Sequence, residues 1–410
     1  MQLNKGKMIY LDNASATPVD PNVQKVMHKI LKDDFANPNG IHRESVQVRS
    51  LIEGARDSVA RALSAHKNEI IFTGSGTESD ALAILGLVYE YHQHRFTKLP
   101  HIITTNIEHS AVLENCKLLE QKGLAKVTYI KVGANGIVDP KEIGEALKPN
   151  TILVSVMYAN NEIGTVQPIQ EIAKAIRRFR KNQTRNEYFT NKPLFHTDAC
   201  QAMNYLFTEN IEKLGVDMLT FNGSKIYGPK GVGVLYKKRN VQLAPVYSGG
   251  GQEQGLRSGT EDASRIVSIA KSLEIVNKIK NKEVVRLQKL QNYFFDNIKT
   301  LENQTGYKIH INGDRINRLP NNINISINEI SSELLVIELS AKGFAVSSKS
   351  ACKSTEEESS HVVHAIRLIG DKFESEESLR ITMGRDTTKK HIQELMHALK
   401  GILLKYREWK

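Results

Sequence analysis

The chain has 410 residues, of which 40% are hydrophobic and 25% are charged, and its formal net charge is +11. A chain of this length and composition is expected to form two or three packed units, which excludes a disordered protein and a small disulfide-stapled scaffold. No apolar run is long enough for a transmembrane helix, and the polar residues 1–13 lack the apolar core of a signal peptide. A cytoplasmic location is therefore expected.

The cysteines and the distribution of charge narrow the possible class of protein further. The three cysteines form no C-x-x-C pair and have no histidines at zinc-ligand spacing, so neither a disulfide framework nor a metal site is predicted. Lys and Arg are spread along the chain and interleaved with Glu. We interpret the positive charge as a lysine-rich surface, and expect no direct binding to nucleic acid or membranes.

The first clear element is a helix at residues 21–31, with Asp20 as its cap and Pro21 in its first turn. From residue 69, short β-branched runs alternate with helix-length segments. Strands are expected at residues 69–73, 101–105, 126–132, 151–159, 193–197, 216–221 and 231–236. This alternation predicts an α/β fold with a mainly parallel seven-stranded sheet between helices.

The rest of the chain is organised differently. Residues 178–192 are basic and aperiodic, which predicts an extended surface connection. Residues 265–301 have a long helical pattern, which is followed by shorter elements. We expect the long helix to bridge two domains: a large one at 21–278 and a smaller α+β one formed by 1–20 and 279–410.

Polar residues follow the ends of five predicted strands, where ligands bind in open sheets of this kind. They are the Gly-rich turn 74–79, Glu108 and His109, residues 160–162, Asp198, and residues 222–225 including Lys225. Each has an ordinary structural alternative: His109 a helix cap, Asp198 a turn and Lys225 a solvated side chain. Together they favour pyridoxal 5'-phosphate, which needs a lysine for a Schiff base, an acid facing its pyridinium nitrogen and an anion site.

Ten segments resemble, in order, the signatures of one enzyme family. They are residues 10–14, 37–38, 74–79, 108–112, 160–164, 196–201, 223–231, 257–260, 347–352 and 384–388. From about residue 8 to about residue 395 the chain is similar to cysteine desulfurases of the NifS/IscS type. These are pyridoxal-phosphate enzymes of the class V aminotransferase group with the fold type I architecture.

The resemblance implies a role for each matching residue. It implies that Lys225 binds the cofactor covalently, that Asp198 pairs with its ring nitrogen, and that His109 stacks on the ring and takes part in proton transfer. Further cofactor contacts are implied for Gln201 and Asn161 at the ring oxygen, and for Gly76, Thr77, Asn222, Ser224 and, from the other subunit of a homodimer, Thr260 at the phosphate. Arg380 is implied to clamp the substrate carboxylate, with Asn37 and Asn161 nearby.

Cys352 decides the type of reaction. Its neighbours at residues 347–360 are polar and without apolar period, which favours a mobile surface loop over a buried cysteine. Lys349 and Lys353 flank the thiol and favour its thiolate. By resemblance, Cys352 removes sulfur from L-cysteine as a persulfide, leaves L-alanine, and passes the sulfur to an acceptor such as an iron–sulfur scaffold or a tRNA-thiolation enzyme.

Departures from the family pattern leave alternatives open. Asn222 stands where a serine is common, Ser224 where a histidine is common and Lys349 where a glycine is common. A selenocysteine lyase, or another class V aminotransferase or lyase in which Cys352 is incidental, keeps the same cofactor. A binding platform without catalysis is the third alternative, against which the joint presence of the candidate catalytic residues argues.

Overall fold

The computed structural model describes residues 8–94, 96–182, 192–348, 360–367 and 377–408. The helices are α1 Pro21–Asp33, α2 Arg43–Ala62, α3 Gly76–Gln93, α4 Ser110–Gln121, α5 Pro140–Ala146, α6 Ile169–Asn182, α7 Ile211–Leu214, α8 Ala263–Thr305, α9 Ser332–Ala341, α10 His361–Ile366 and α11 Lys389–Glu408. The strands are β1 Ile9–Tyr10, β2 Ile70–Thr73, β3 His101–Thr105, β4 Lys126–Ile130, β5 Thr151–Ser155, β6 Leu194–Asp198, β7 Met218–Asn222, β8 Gly233–Lys237, β9 Ile309–Ile311, β10 Asn322–Ile327, β11 Phe344–Ala345 and β12 Leu379–Thr382.

The predicted seven-stranded sheet is confirmed, with the strand order β2-β8-β7-β6-β5-β3-β4. Every neighbouring pair is parallel except those of β8, which runs antiparallel to β2 and β7. Successive strand residues alternate between two hydrophobic clusters: Leu153 and Leu194 belong to one, Val154 and Phe195 to the other. Both faces of the sheet are therefore buried, as a sheet between helix layers requires.

The predicted long helix is also confirmed, as the unbroken α8. Its first half contributes Ile269 and Leu273 to a cluster on the large sheet, whereas its second half contributes Leu287 and Phe294 to a third hydrophobic cluster. That third cluster also packs the antiparallel sheet β12-β10-β9 and the parallel pair β1–β11. One helix thus joins two cores, while the exact domain boundaries stay a prediction.

The helix near the N-terminus is as predicted, but two other segments differ. Asp20 accepts a hydrogen bond from the backbone N–H of Asn22 and caps α1, with Pro21 at its first position. Helix α2 was not predicted, although Val48 and Ile52 show its buried face. The prediction of an extended connection at 178–192 is wrong for its first part, because α6 continues through Asn182. The last turn of α6 contains basic residues, which interact favourably with the helix dipole.

Among the described helices, none combines the length and the apolar character needed to cross a bilayer.

Candidate active site

A pocket with an empty volume of about 630 Å³ lies between the ends of the large-sheet strands and β12. Nine residues singled out from the sequence line it: Gly76, Thr77, His109, Asn161, Asp198, Gln201, Asn222, Lys225 and Arg380. The carboxyl ends of parallel strands meet at one edge, so residues far apart in sequence reach a common site. The remaining lining residues are Ala14, Ser15, Asp80, Met157, Ala159 and Cys200.

Lys225 follows β7 in a short 3-10 turn and reaches the segment after β1. Its Nζ donates to the carbonyl oxygens of Ala14 at 2.9 Å and Ser15 at 2.6 Å. Gln201 Nε2 also donates to the Ala14 carbonyl, at 2.9 Å. The N-terminal segment therefore orients the amine and the amide toward one side of the pocket, and Lys225 is not the solvated side chain that it could have been.

The Gly-rich turn opens α3 at the pocket. Ser75 caps the helix by accepting from the backbone N–H of Glu78 at 3.0 Å. No acceptor within the described part of the chain engages the N–H groups of Gly76 and Thr77, the first two helix positions. A Cβ on Gly76 would lie 2.7 Å from Asn222 Nδ2, so a larger residue there would force that side chain to shift. These two N–H groups, at the positive end of a helix dipole, suit a phosphate.

Asp198 ends β6 and lines the pocket while nearly buried. Its Oδ1 accepts from the Cys200 N–H at 2.8 Å. Asp80 on α3 was not singled out from the sequence. Its Oδ1 lies 3.6 Å from His196 Nε2. Burial, and then the charge of Asp198, raises the pKa of Asp80 well above its usual range, which favours its neutral form.

His196 lies two residues before Asp198, on the same strand. Its Nδ1 lies 2.9 Å from Ser155 Oγ and its Nε2 3.0 Å from Thr220 Oγ1. Burial lowers the pKa of the imidazole to about 4, so the ring is neutral near pH 7. His196 thus completes an uncharged polar layer behind the pocket, together with Asp80.

His109 is a helix cap that also lies at the pocket, while its predicted part in proton transfer stays a prediction. Its Nδ1 accepts from the backbone N–H of Ala111 at 3.1 Å and caps α4, and the ring also lines the pocket. The preceding Glu108 is buried, accepts from the Met157 N–H at 3.0 Å, and has a pKa that burial raises to about 8. Both residues therefore hold the turn between β3 and α4 against the segment after β5.

The cysteines occupy different environments. Cys116 is fully buried on α4, and burial raises the pKa of its thiol to about 12. Cys200, for which no role was predicted, lines the pocket. Burial, and then the charge of Asp198, raises the pKa of the Cys200 thiol well above its usual range. Both thiols are therefore poor sources of thiolate.

Arg380 reaches the pocket from β12 and is only 2% exposed. Its Nη2 donates to Asp12 Oδ1 at 2.9 Å and to Ser15 Oγ at 2.7 Å, and its Nη1 donates to the carbonyl oxygen of Asn161 at 3.1 Å. The matched segment 10–14 in the sequence contained Asp12, but its residue type alone gave no reason to pair it with an arginine 368 positions away.

Three predicted site residues do not line this pocket. Asn37 is exposed, and its Oδ1 accepts from the Asn39 N–H at 3.0 Å. Ser224 Oγ donates to Asn222 Oδ1 at 3.1 Å. Thr260 is exposed in a separate groove, so its predicted contribution to a second subunit stays untested. Cys352, Lys349 and Lys353 lie outside the described residues, and the described residues contain no cluster of three or more potential metal ligands of the His, Cys, Asp and Glu types.

Comparisons with known proteins identify the family of this chain. The family model for aminotransferase class-V matches residues 9–395. The chain therefore belongs to the class-V aminotransferase family. Within it, the chain belongs to the NifS/IscS type of cysteine desulfurases.

Individual relatives span almost the whole chain. The curated "Cysteine desulfurase IscS" of Dictyoglomus turgidum is 39% identical over 409 residues, with 98% of each chain covered. A solved "NifS-like protein" has a TM-score of 0.85 at 32% identity, with 97% of this chain and 99% of the other covered. The solved structure "SspA in complex with cysteine" has a TM-score of 0.74 at 33% identity, with coverages of 91% and 98%.

Proposed function

We propose that the protein is a pyridoxal-phosphate-dependent cysteine desulfurase that transfers the sulfur of L-cysteine to Cys352 and releases L-alanine. One observation carries this proposal: a lysine, a nearly buried carboxylate, an open helix N-terminus and an arginine line a single pocket. Relatives of similar length that are named cysteine desulfurases support the choice of reaction.

The residues fit the cofactor in chemical type. In the proposal, Lys225 would hold it covalently, the Asp198 carboxylate would pair with its ring nitrogen, and the N–H groups of Gly76 and Thr77 would bind its phosphate. When bound, pyridoxal phosphate supplies an electron sink for the bond cleavage at the substrate's Cα. The neutral layer of Asp80 and His196 supports this fit, because it leaves Asp198 without an adjacent second charge.

The chain's own residues transfer protons, bind the substrate and attack its sulfur. We assign proton transfer to His109 and to the Nζ of Lys225, both of which line the pocket. Arg380 binds the substrate carboxylate. The Cys352 thiolate then attacks the substrate sulfur: an S–S bond forms, the C–S bond breaks, and its electron pair stays with the carbon, which takes up a proton to give alanine.

The physiological context completes the proposal. The persulfide is passed to an acceptor protein, such as an iron–sulfur scaffold or a tRNA-thiolation enzyme. The protein acts as a cytoplasmic homodimer in which Thr260 of each subunit completes the phosphate site of its partner. Exposure of Thr260 supports this, because its side chain is available to a second copy. Full activity from a sedimenting monomer would contradict the shared site.

The decisive assay measures alanine and sulfide from L-cysteine, with cofactor and a reductant present. Equal amounts of both are expected from the unaltered protein and from Cys116→Ala, but neither from Cys352→Ala. Alanine formation that survives Cys352→Ala would favour another class V enzyme. Turnover of selenocysteine alone would favour a selenocysteine lyase, and no turnover despite bound cofactor would favour a binding platform.

A further inference from the structure

The hydrogen bonds of Arg380 leave no free pair of adjacent donors. Both hydrogens of Nη2 are engaged, one with Asp12 Oδ1 and one with Ser15 Oγ. Nη1 donates to the Asn161 carbonyl, and Nε has no partner among the described residues. A carboxylate that binds an arginine through two parallel hydrogen bonds uses Nη2 together with either Nε or Nη1. Such a ligand must therefore displace Asp12 or Ser15.

Of the two groups that a carboxylate could displace, Asp12 is the more important for binding because it is charged. Arg380 is nearly inaccessible, and Asp12, whose side chain is 20% exposed, is the carboxylate that forms an ion pair with it among the described residues. An arginine that is buried without a counter-ion is strongly destabilising. Asp12 supplies that counter-ion, so an incoming carboxylate meets an arginine that is already neutralised.

We propose that Asp12 is a resident counter-ion of Arg380 that competes with the substrate carboxylate, and thereby sets how tightly the pocket holds amino acids. This inference rests on the proposed function. Cysteine and alanine carry the same carboxylate, so Asp12 weakens the binding of both and favours the release of alanine. Asp12 is a positioning residue here, because it acts on the substrate through Arg380.

The variant Asp12→Asn tests whether the charge of Asp12, rather than its orientation of Arg380, weakens ligand binding. The amide oxygen of Asn can still accept from Nη2, while the negative charge that opposes the ligand is lost. The inhibition constant of L-alanine and the KM of L-cysteine are expected to fall about tenfold, which corresponds to about 1.4 kcal/mol. The kcat is not expected to rise. The affinity for L-alaninamide, which lacks the carboxylate, should stay unchanged.

The chain offers a matched control. Asp20 and Arg385 form an ion pair of the same length, 2.9 Å, between the same two parts of the chain, and neither residue lines the pocket. Asp20→Asn retains the helix cap and should leave both constants unchanged. It therefore reports any general effect of losing an ion pair between these segments.

The outcomes are distinguishable. Tighter alanine binding by Asp12→Asn alone, seen also as a larger rise in Tm on adding alanine, supports the inference. Unchanged or weaker alanine binding in Asp12→Asn would overturn it, even if the unaltered protein makes alanine from cysteine. An unaltered protein that makes no alanine would instead overturn the proposed function, and the Tm shifts would still test the inference.

Discussion

The two walls of the pocket differ in how their buried ionisable groups are stabilised. On the large-sheet wall, Asp80 and His196 are fully buried, and desolvation keeps each in its neutral form. On the opposite wall, Arg380 forms an ion pair with Asp12. Desolvation is sufficient for groups that only support a ligand, whereas a group that must attract a carboxylate needs a charge and, because it is buried, a counter-ion.

The largest effect is expected from the large-sheet wall, at Lys225, the proposed covalent anchor. Lys225→Ala should lower the rate of alanine formation by about 1,000-fold or more, because it removes both a covalent bond and a proton carrier. Lys230→Ala is the control, since Lys230 is exposed in the same loop. A rate for Lys225→Ala within tenfold of the unaltered protein would contradict its assignment.

A second prediction compares the two acids of the large-sheet wall. Asp198→Asn should weaken binding of pyridoxal phosphate by about 100-fold, because it replaces a carboxylate by a neutral group at the ring nitrogen. Asp80→Asn should change the affinity by less than about threefold, because Asp80 is already neutral and Asn has the same shape. Titration of the cofactor-free protein, followed by visible absorbance, measures both. Equal losses would show that Asp80 carries a charge.

A third prediction concerns the helix N-terminus. Gly76→Ala should weaken binding of pyridoxal phosphate about tenfold, because the added Cβ would collide with Asn222 and Cys200 and displace the first turn of α3. Gly54→Ala, on the exposed side of α2, places its Cβ in open space and should stabilise its helix slightly. If both variants bind the cofactor equally well, the turn is not part of its site.

A fourth prediction concerns stability as a function of pH rather than activity. Burial raises the pKa of Glu108 from 4.5 to about 8, so the unfolded chain releases this proton at lower pH than the folded one. The contribution of Glu108 to stability is therefore present below about pH 4.5 and lost as pH rises toward about 8, by at most about 1.4 kcal/mol per pH unit. Urea unfolding of Glu108→Gln should lack this decline, whereas Glu114→Gln, on the exposed side of α4, should retain it.

The same two walls differ in how far the sequence could predict them. Residues of the large-sheet wall follow predicted strands, so Asp198 and Lys225 were expected at one edge. Asp80 was missed because a buried acid within an apolar helix has no local signal. The pair of Asp12 and Arg380 was missed because its partners come from opposite ends of the chain, and only tertiary packing brings them together.

Secondary structure shows the same limit. The alternating strands and the long α8 have strong local patterns and were predicted. The end of α6 was missed because basic residues, which favour a helix C-terminus, also suit a surface loop. The two antiparallel neighbours of β8 were not foreseen either, since strand direction depends on connections and not on side-chain period.

The most direct test of the central claim locates the transferred sulfur. The purified protein with pyridoxal phosphate is given one equivalent of L-cysteine, alkylated and analysed by peptide mass spectrometry. One extra sulfur atom is predicted on Cys352 and none on Cys116 or Cys200, whose thiols are held in the protonated form. Extra sulfur on Cys200 with Cys352 unmodified would contradict the account, because the acceptor would then be a thiol inside the pocket.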